Sequence, residues 1–382
     1  MKNSSVLGII AEYDPFHNGH KYLIDSLKEE TKSEFVVCIM SGAFLQRGAP
    51  AMFSCHDRAE MALMSGCDVV FSMPLSFSCA PAHRFAHGAV DIMNRLGIID
   101  FIGFGVESSC IETLKACRES YPKDFTNKDY SLPLAKKAET LSGSADGSLE
   151  FNKPNLSLAL CYENELRLSK SRIIPVPISR TNSHSSRKIE ADFSSASAIR
   201  EAITKGELSS VKKAVPDKSF DIISKALYEN RFVLQDDFDR VLFALLYRLD
   251  KDYFNVCPEL IEGLGNKLFN ELKKCTSKNE LILRLKSKRY TYTRLARGLI
   301  NACIGLRETD LEKKAGFIRL LGFSKNGLKL LNKIDKDKIN IFSSLADISK
   351  AGQRFDVYAE ELWNICAGLP IAEAYKRKII KL

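Results

Sequence analysis

His17 and His20 flank a glycine in the run Ala11-Glu12-Tyr13-Asp14-Pro15-Phe16-His17-Asn18-Gly19-His20. Residues of these types at this spacing suit one chemistry, holding the phosphates of a nucleotide. Each imidazole can donate a ring N–H to a phosphate oxygen. Gly19 lets the backbone come close to a ligand. A helix that starts here offers unpaired N–H groups and a partial positive charge. The elements around the loop agree: the apolar run Val6-Leu7-Gly8-Ile9-Ile10 reads as a buried strand, and Leu23, Ile24 and Leu27 recur at helical spacing.

Other segments carry candidate chemistry. Ser194-Ser195-Ala196-Ser197-Ala198-Ile199-Arg200 places small hydroxyl residues at a helix start, where they either cap free N–H groups or join them around a phosphate. Arg200, one turn in, supplies a charged donor. Paired with His17 and His20, this segment is expected as a second wall of one triphosphate site. Arg47 lies in the glycine-rich Ser41–Pro50 connection, either against an anion or in solvent. His83 and His87 have the i,i+4 spacing of helical metal ligands, but no carboxylate or cysteine partner stands nearby, so packing or pocket-lining is expected. From Arg284 to Arg297 six basic residues (Arg284, Lys286, Lys288, Arg289, Arg294, Arg297) and two tyrosines occur with no acid. That combination suits a phosphate backbone with bases stacked on rings, and it is expected to bind nucleic acid.

The elements that must position these residues form a simple alternation. Short apolar runs at Val6–Ala11, Phe35–Met40, Asp68–Met73, Phe101–Gly105 and Ile173–Ile178 predict strands covered on both faces. Helical patterns at Gly19–Glu29, His56–Met64, Arg84–Leu96 and Asn155–Leu168 lie between them. The order predicts an α/β fold with a doubly wound parallel sheet, whose ligands sit beyond the carboxyl ends of the strands. Glu119–Leu149 is polar and turn-rich and reads as an excursion. Beyond residue 205 strand-like runs fade, and Phe238–Leu249 and Leu260–Leu272 repeat at helical spacing. The expected division is a catalytic domain over 1–204 and a basic helical domain over 205–382.

Charge supports that division. Residues 205–382 hold 34 Lys and Arg against 23 Asp and Glu, a net of +11, whereas residues 1–204 net −2 and contain all six histidines. Chemistry is expected in the first part and a polyanion partner on the second. An apolar content of 45% excludes global disorder. No stretch approaches the roughly 18 apolar residues of a membrane helix, and Val6–Ala11 is too short for a signal peptide core. Eleven scattered cysteines without a Cys-x-x-Cys pair point to reduced thiols and a cytoplasmic setting.

Tyr13-Asp14-Pro15-Phe16-His17-Asn18-Gly19-His20 resembles the signature of the His-x-Gly-His nucleotidyltransferase superfamily. The fuller set resembles one branch, the bacterial tRNA(Met) cytidine acetate ligases. That set comprises Met40-Ser41-Gly42, Phe44, Gln46-Arg47-Gly48, Phe104-Gly105-Val106-Glu107-Ser108, Pro154-Asn155, Ile178-Ser179-Arg180, Ser195–Arg200 and Arg289-Tyr290-Thr291-Tyr292-Thr293-Arg294. The resemblance implies a Rossmann-like nucleotidyltransferase domain followed by a mainly helical tRNA-binding domain. It implies acetyl-adenylate formation from acetate and ATP, with Mg²⁺, then transfer to N4 of the wobble cytidine of elongator tRNA(Met). His17 and His20 would be catalytic. ATP would be contacted by Ile10, Ala11, Glu12, Tyr13, Asp14, Pro15, Phe16, Asn18, Gly19, Lys21, Tyr22 and Leu23 with the two histidines, and by Gly105, Asn155 and Arg180. The pattern departs at Asp14, where Asn is expected and a carboxylate adds negative charge near the phosphates unless it meets Mg²⁺. It also departs at Val106, in place of Ser, and at Ser183 before His184, in place of Tyr. Two other readings share some features: a nucleotidyltransferase for a small phosphorylated cofactor precursor, and a non-catalytic tRNA-binding protein.

Overall fold

The structure is a computed structural model that describes residues 4–107, 111, 114, 154–180, 194–261 and 263–382. The Glu119–Leu149 excursion, Ser108, Ser183 and His184 lie outside the described residues.

The predicted strand–helix alternation is present. In chain order come β1 (Val6–Ala11), α1 (Asn18–Thr31), β2 (Phe35–Ser41), the hairpin β3 (Phe44–Leu45) and β4 (Ala49–Pro50), and α2 (Cys55–Met64). They are followed by β5 (Val69–Met73), α3 (Leu75–Ser78), α4 (Ala82–Leu96), β6 (Phe101–Glu107), α5 (Pro154–Leu168), β7 (Ile174–Arg180) and α6 (Ala196–Thr204). Strands β5, β2, β1, β6 and β7 lie side by side and parallel. Every residue of β2 and β5 is buried, which is why these strands are apolar except at Ser41 and Ser72 and show no alternation. One face is covered by α4 and α5 through Phe85, Val90, Met93, Leu156 and Leu160. The other is covered by α1, α2 and α6 through Ile24, Leu27, Ala59, Ala62 and Ile199.

The part beyond residue 205 is mainly helical, as expected, but it is not free of strands. β8 (Phe317–Phe323) pairs antiparallel with β5, and β9 (Asn340–Phe342) and β10 (Ile380–Lys381) pair parallel with β8. The last third of the chain therefore completes the sheet that the first 204 residues begin. β8 hides from periodicity because it is seven residues long, sits among helices and carries Arg319 in its middle. Its helices build a separate apolar core from Phe238, Leu242, Leu268, Leu281, Leu299 and Trp363, into which Phe44 and Leu75 of the first part insert. The Trp363 Nε1–H donates to the Ala51 carbonyl at 2.7 Å, a further bond across the expected boundary.

Strand order reverses between β1 and β6: β2 lies on one side of β1, while β6 and then β7 lie on the other. Backbone groups at such a reversal diverge and leave a crevice beyond the carboxyl ends of the strands.

Candidate active site

The crevice is a pocket of about 270 Å³, bordered by Ile9–Asp14 from the end of β1 and Gly103–Gly105 from β6. Helix starts supply two of its walls. His17 caps α1: its ring Nδ1 accepts the Gly19 N–H at 3.1 Å, and the His20 Nδ1 accepts the His17 N–H at 3.3 Å. The two rings stack with centroids 3.7 Å apart. With each Nδ1 accepting, the neutral tautomer carries its proton on Nε2. Both histidines line the pocket.

Opposite them stand Ala196, Ser197 and Arg200 at the start of α6. The Ser195 hydroxyl accepts the Ala198 N–H at 3.2 Å and is a helix cap, one of the two roles expected of this segment. Ser197 and Arg200 line the pocket, and the Arg200 Nη2 donates to the Ser197 Oγ at 3.0 Å. Arg47 arrives from the β3–β4 hairpin as a second cationic group, part-exposed and lining the pocket.

Asp14 organises these cations. Its side chain is 1% exposed, and Oδ2 pairs with Arg47 Nη2 at 2.6 Å and Arg200 Nη1 at 3.3 Å, while Oδ1 accepts the Met52 N–H at 2.7 Å. Burial alone would raise its pKa, but Arg200, Arg47, Arg58 and the Met52 N–H outweigh it and hold the carboxyl below the ordinary carboxylate value. Burial draws Arg200 down to about 10, so it stays charged at neutral pH. The negative charge at Asp14, expected to add to that near the phosphates unless it met Mg²⁺, is paired within the protein with two arginines.

Backbone positions are fixed from behind. Arg58 is fully buried and donates to the carbonyls of Phe53, Glu12, Ser41 and Gly42, joining the ends of β1 and β2. Glu12 Oε1 accepts the Gln46 N–H at 2.7 Å, which ties the hairpin to the histidine loop. Gly48 has φ +76°, and a Cβ there would lie 2.4 Å from the Arg297 backbone nitrogen, so only glycine allows this approach.

The remaining expected contacts divide. Ile10–Asp14, His17, His20, Leu23, Gly105 and Asn155 line the pocket, and Asn155 Nδ2 donates to Glu107 Oε1 at 2.8 Å. Pro15, Phe16, Asn18, Gly19, Lys21 and Tyr22 do not. Phe16 packs in the core, Asn18 bonds the Lys213 carbonyl, Lys21 pairs with Asp25, and Tyr22 is 42% exposed. Asn18, Lys21 and Tyr22 are on α1 and turn away from the crevice, whereas Phe16 precedes the helix and packs behind Tyr13 and His20. Arg180 closes β7, and its side chain lies outside the described residues. The sequence reading leaves unassigned an apolar end made by Phe85, Leu158 and Tyr162, whose residues look like ordinary helix core until α4 and α5 bring them together.

Among the described residues no group of three or more His, Cys, Asp or Glu side chains could hold a metal ion. His87 bridges Glu165 Oε2 at 2.9 Å and the Lys313 carbonyl at 2.7 Å, and burial lowers His83 to about 4. No helix among the described residues is long and apolar enough to cross a membrane.

The basic segment is split. Lys286, Lys288 and Arg289 are exposed. Arg284 is also exposed but pairs with Glu280 at 3.1 Å and Glu271 at 3.6 Å. Arg294 is half-buried against the Tyr290 ring at 4.9 Å. Arg297 is buried, paired with Glu259 Oε2 at 3.0 Å and donating to the Gln46 carbonyl at 3.3 Å. Arg297 therefore leaves the expected nucleic-acid surface and braces the loop that carries Arg47. A one-sign run counts charges without telling which falls on the inner side of a helix.

The chain matches the model of the family described as HIGH Nucleotidyl Transferase over residues 4–377. It is 35% identical over 351 residues to a tRNA(Met) cytidine acetate ligase of Clostridium novyi, covering 87% of this chain and 88% of that one. It is 33% identical over 382 residues to the protein of that name from Caldanaerobacter subterraneus, covering 94% of each. Among solved structures, Thermotoga maritima TmcAL superposes in its apo form with a TM-score of 0.87 at 26% identity over 99% of both chains. The same protein bound with alpha-thio ATP gives a TM-score of 0.85.

Proposed function

The chain belongs to the HIGH nucleotidyl transferase family and, within it, to the tRNA(Met) cytidine acetate ligases, and from that premise we propose how its pocket works. The reaction has two steps. An acetate oxygen attacks the α-phosphorus of ATP, the bond from that phosphorus to the bridging oxygen breaks, and pyrophosphate leaves. The N4 amine of the wobble cytidine of elongator tRNA(Met) then attacks the acetyl carbonyl. AMP departs, N4 loses a proton, and N4-acetylcytidine remains.

The observation that carries this reading is the convergence of His17, His20, Arg47 and Arg200 on one crevice beyond β1 and β6. Displacement at phosphorus asks a protein for position and charge stabilisation rather than for a nucleophile. Four cationic or N–H-donating groups and two helix starts supply both. The imidazole donors hold the triphosphate, and the Asp14-pinned arginines neutralise charge that grows on departing pyrophosphate. Gly105 and Asn155 meet the nucleoside side, and the Phe85, Leu158 and Tyr162 wall excludes water that would hydrolyse the adenylate. Mg²⁺, expected from the resemblance, has no carboxylate cage among the described residues, since Asp14 is committed to arginines. In this reading the ion arrives on the triphosphate as part of the nucleotide substrate.

ATP–pyrophosphate exchange without tRNA tests the first step. Exchange that requires acetate is the expected result, and N4-acetylcytidine at the wobble position by mass spectrometry completes the test. Exchange indifferent to acetate, with or without tRNA, would remove acetate as the substrate.

A further inference from the structure

A second concavity lies away from the nucleotide pocket. The Arg354–Cys366 helix, the end of the Tyr292–Ile304 helix and Tyr375 enclose an open groove of about 590 Å³. Its character is set by aromatic rings and two cations. Tyr253, Phe355, Tyr358 and Tyr375 line it with Arg307 and Arg354. The Arg354 guanidinium lies 4.6 Å from the Phe355 ring centroid, and that of Arg307 lies 5.9 Å from the Tyr253 ring. Tyr358 and Tyr375 are each 36% exposed, and the Tyr375 hydroxyl donates to Glu361 Oε1 at 2.7 Å.

These residues suit a flat, polar-edged, anion-linked ligand. An apolar partner helix would meet Leu and Ile, not tyrosines stacked beside arginines. A bare phosphate would be drawn by Arg307 and Arg354 but repelled by Glu361. A nucleobase satisfies all three, because its face stacks on the rings, its N–H edge meets the carboxylate, and its phosphate meets the guanidinium groups. The groove also belongs to the part of the chain with a net charge of +11.

Its place along the fold matters. Arg297 donates to the carbonyl of Gln46, which lines the nucleotide pocket, and Gly305 borders the groove eight residues further along the same helix. At 1.5 Å per residue Gly305, the C-cap of that helix, lies about 12 Å along its axis from Arg297. We infer that this groove receives an unpaired base of the RNA substrate, near the base that is acetylated. The inference rests on the tRNA-modifying reading above.

The test uses the full chain with Tyr358→Ala, Tyr358→Phe and Arg354→Ala, reading tRNA(Met) affinity by fluorescence anisotropy across salt concentrations. Acetate-dependent ATP–pyrophosphate exchange without tRNA is measured alongside, as a check of folding and of the pocket. Tyr358→Ala is expected to weaken tRNA binding about tenfold at every salt concentration, without changing the log–log slope. Tyr358→Phe should stay within about twofold, because the stacking face is kept. Arg354→Ala should lower the slope by about one, as expected for one lost phosphate contact. All three should keep wild-type exchange. Wild-type affinity and slope in both alanine variants overturn the groove as an RNA site. A wild-type chain that binds tRNA but shows no exchange defeats the acetate ligase reading and leaves the binding comparison to decide the groove. A wild-type chain that does not bind tRNA overturns both.

Discussion

At the residue scale, the site depends on one buried carboxylate that serves two arginines. Removing the Asp14 side chain leaves Arg47 and Arg200 without their shared anion in a part-buried setting, so Asp14→Ala should lose on the order of 2–3 kcal/mol of stability in a denaturant titration. Asp14→Asn restores the residue of the family pattern, preserves the acceptor for the Met52 N–H and removes a negative charge beside the phosphates, so its ATP affinity by calorimetry should be kept or rise. The folded carboxyl titrates below its unfolded value of about 3.9. Its contribution is therefore complete above about pH 4 and disappears as pH falls through the folded pKa, so Asp14→Asn should flatten the acid limb of stability against pH. His17 caps α1 and lines the pocket, where the proposed reaction uses it as a donor. His17→Ala should cost about 1 kcal/mol of stability as well as roughly 100-fold or more in exchange rate. His17→Asn should restore the cap and not the rate. Recovery of exchange in His17→Asn would assign the histidine to the helix alone.

At the scale of elements, α4 holds the returning chain through a stripe of polar side chains. Arg84 donates to the Glu312 carbonyl at 2.7 Å, His87 bridges Glu165 and the Lys313 carbonyl, and Asp91 accepts the Ala315 N–H at 3.0 Å. Both partners of His87 are acceptors, so the ring meets them fully only when doubly protonated. The Glu165 hydrogen bond raises its pKa against the opposing effect of burial. A raised folded pKa means the clamp is complete below the unfolded value of about 6.5 and weakens as pH rises through the folded value. Amide exchange at residues 312–315 should therefore quicken between neutral and mildly alkaline pH beyond the intrinsic base-catalysed increase, and His87→Gln should abolish that excess. The same stripe shows what the sequence can and cannot reveal. The i,i+4 spacing of His83 and His87 is visible at once, and so is their place on a helix. Their partners are not, because Lys313 lies 226 residues away. Local periodicity finds β1, β2, α1 and the histidine loop because each is specified by its own neighbours. It misses β8, whose status as a strand is set by the exposed edge of β5, and it misses Phe85 and Tyr162 as pocket walls for the same reason.

At the scale of the whole molecule, the sheet unites what charge and composition divide. The histidines and the basic excess do fall on opposite sides of residue 204, a contrast of composition. It does not mark where the chain can be cut. β5 is buried along its whole length because β8 covers its outer edge, and Ile318, Leu320 and Leu330 enter the core packed beneath α4 and α5. Losing such contacts costs roughly 1.5–3 kcal/mol for each large side chain, against a total stability of about 5–15 kcal/mol for an ordinary domain. A chain ended at residue 204 would also bare a five-residue apolar strand, Val-Val-Phe-Ser-Met, with its ladder of hydrogen bonds unmade. Residues 1–204 expressed alone should therefore aggregate or stay unfolded by circular dichroism and should not bind ATP, although every histidine and both pocket arginines are present. The full chain should bind ATP and unfold cooperatively, in a single thermal transition. A soluble, ATP-binding 1–204 fragment would show that β8 merely docks on a finished domain. Failure of the fragment, rescued by co-expressing residues 205–382, would show that the pocket is built on a sheet neither part completes alone.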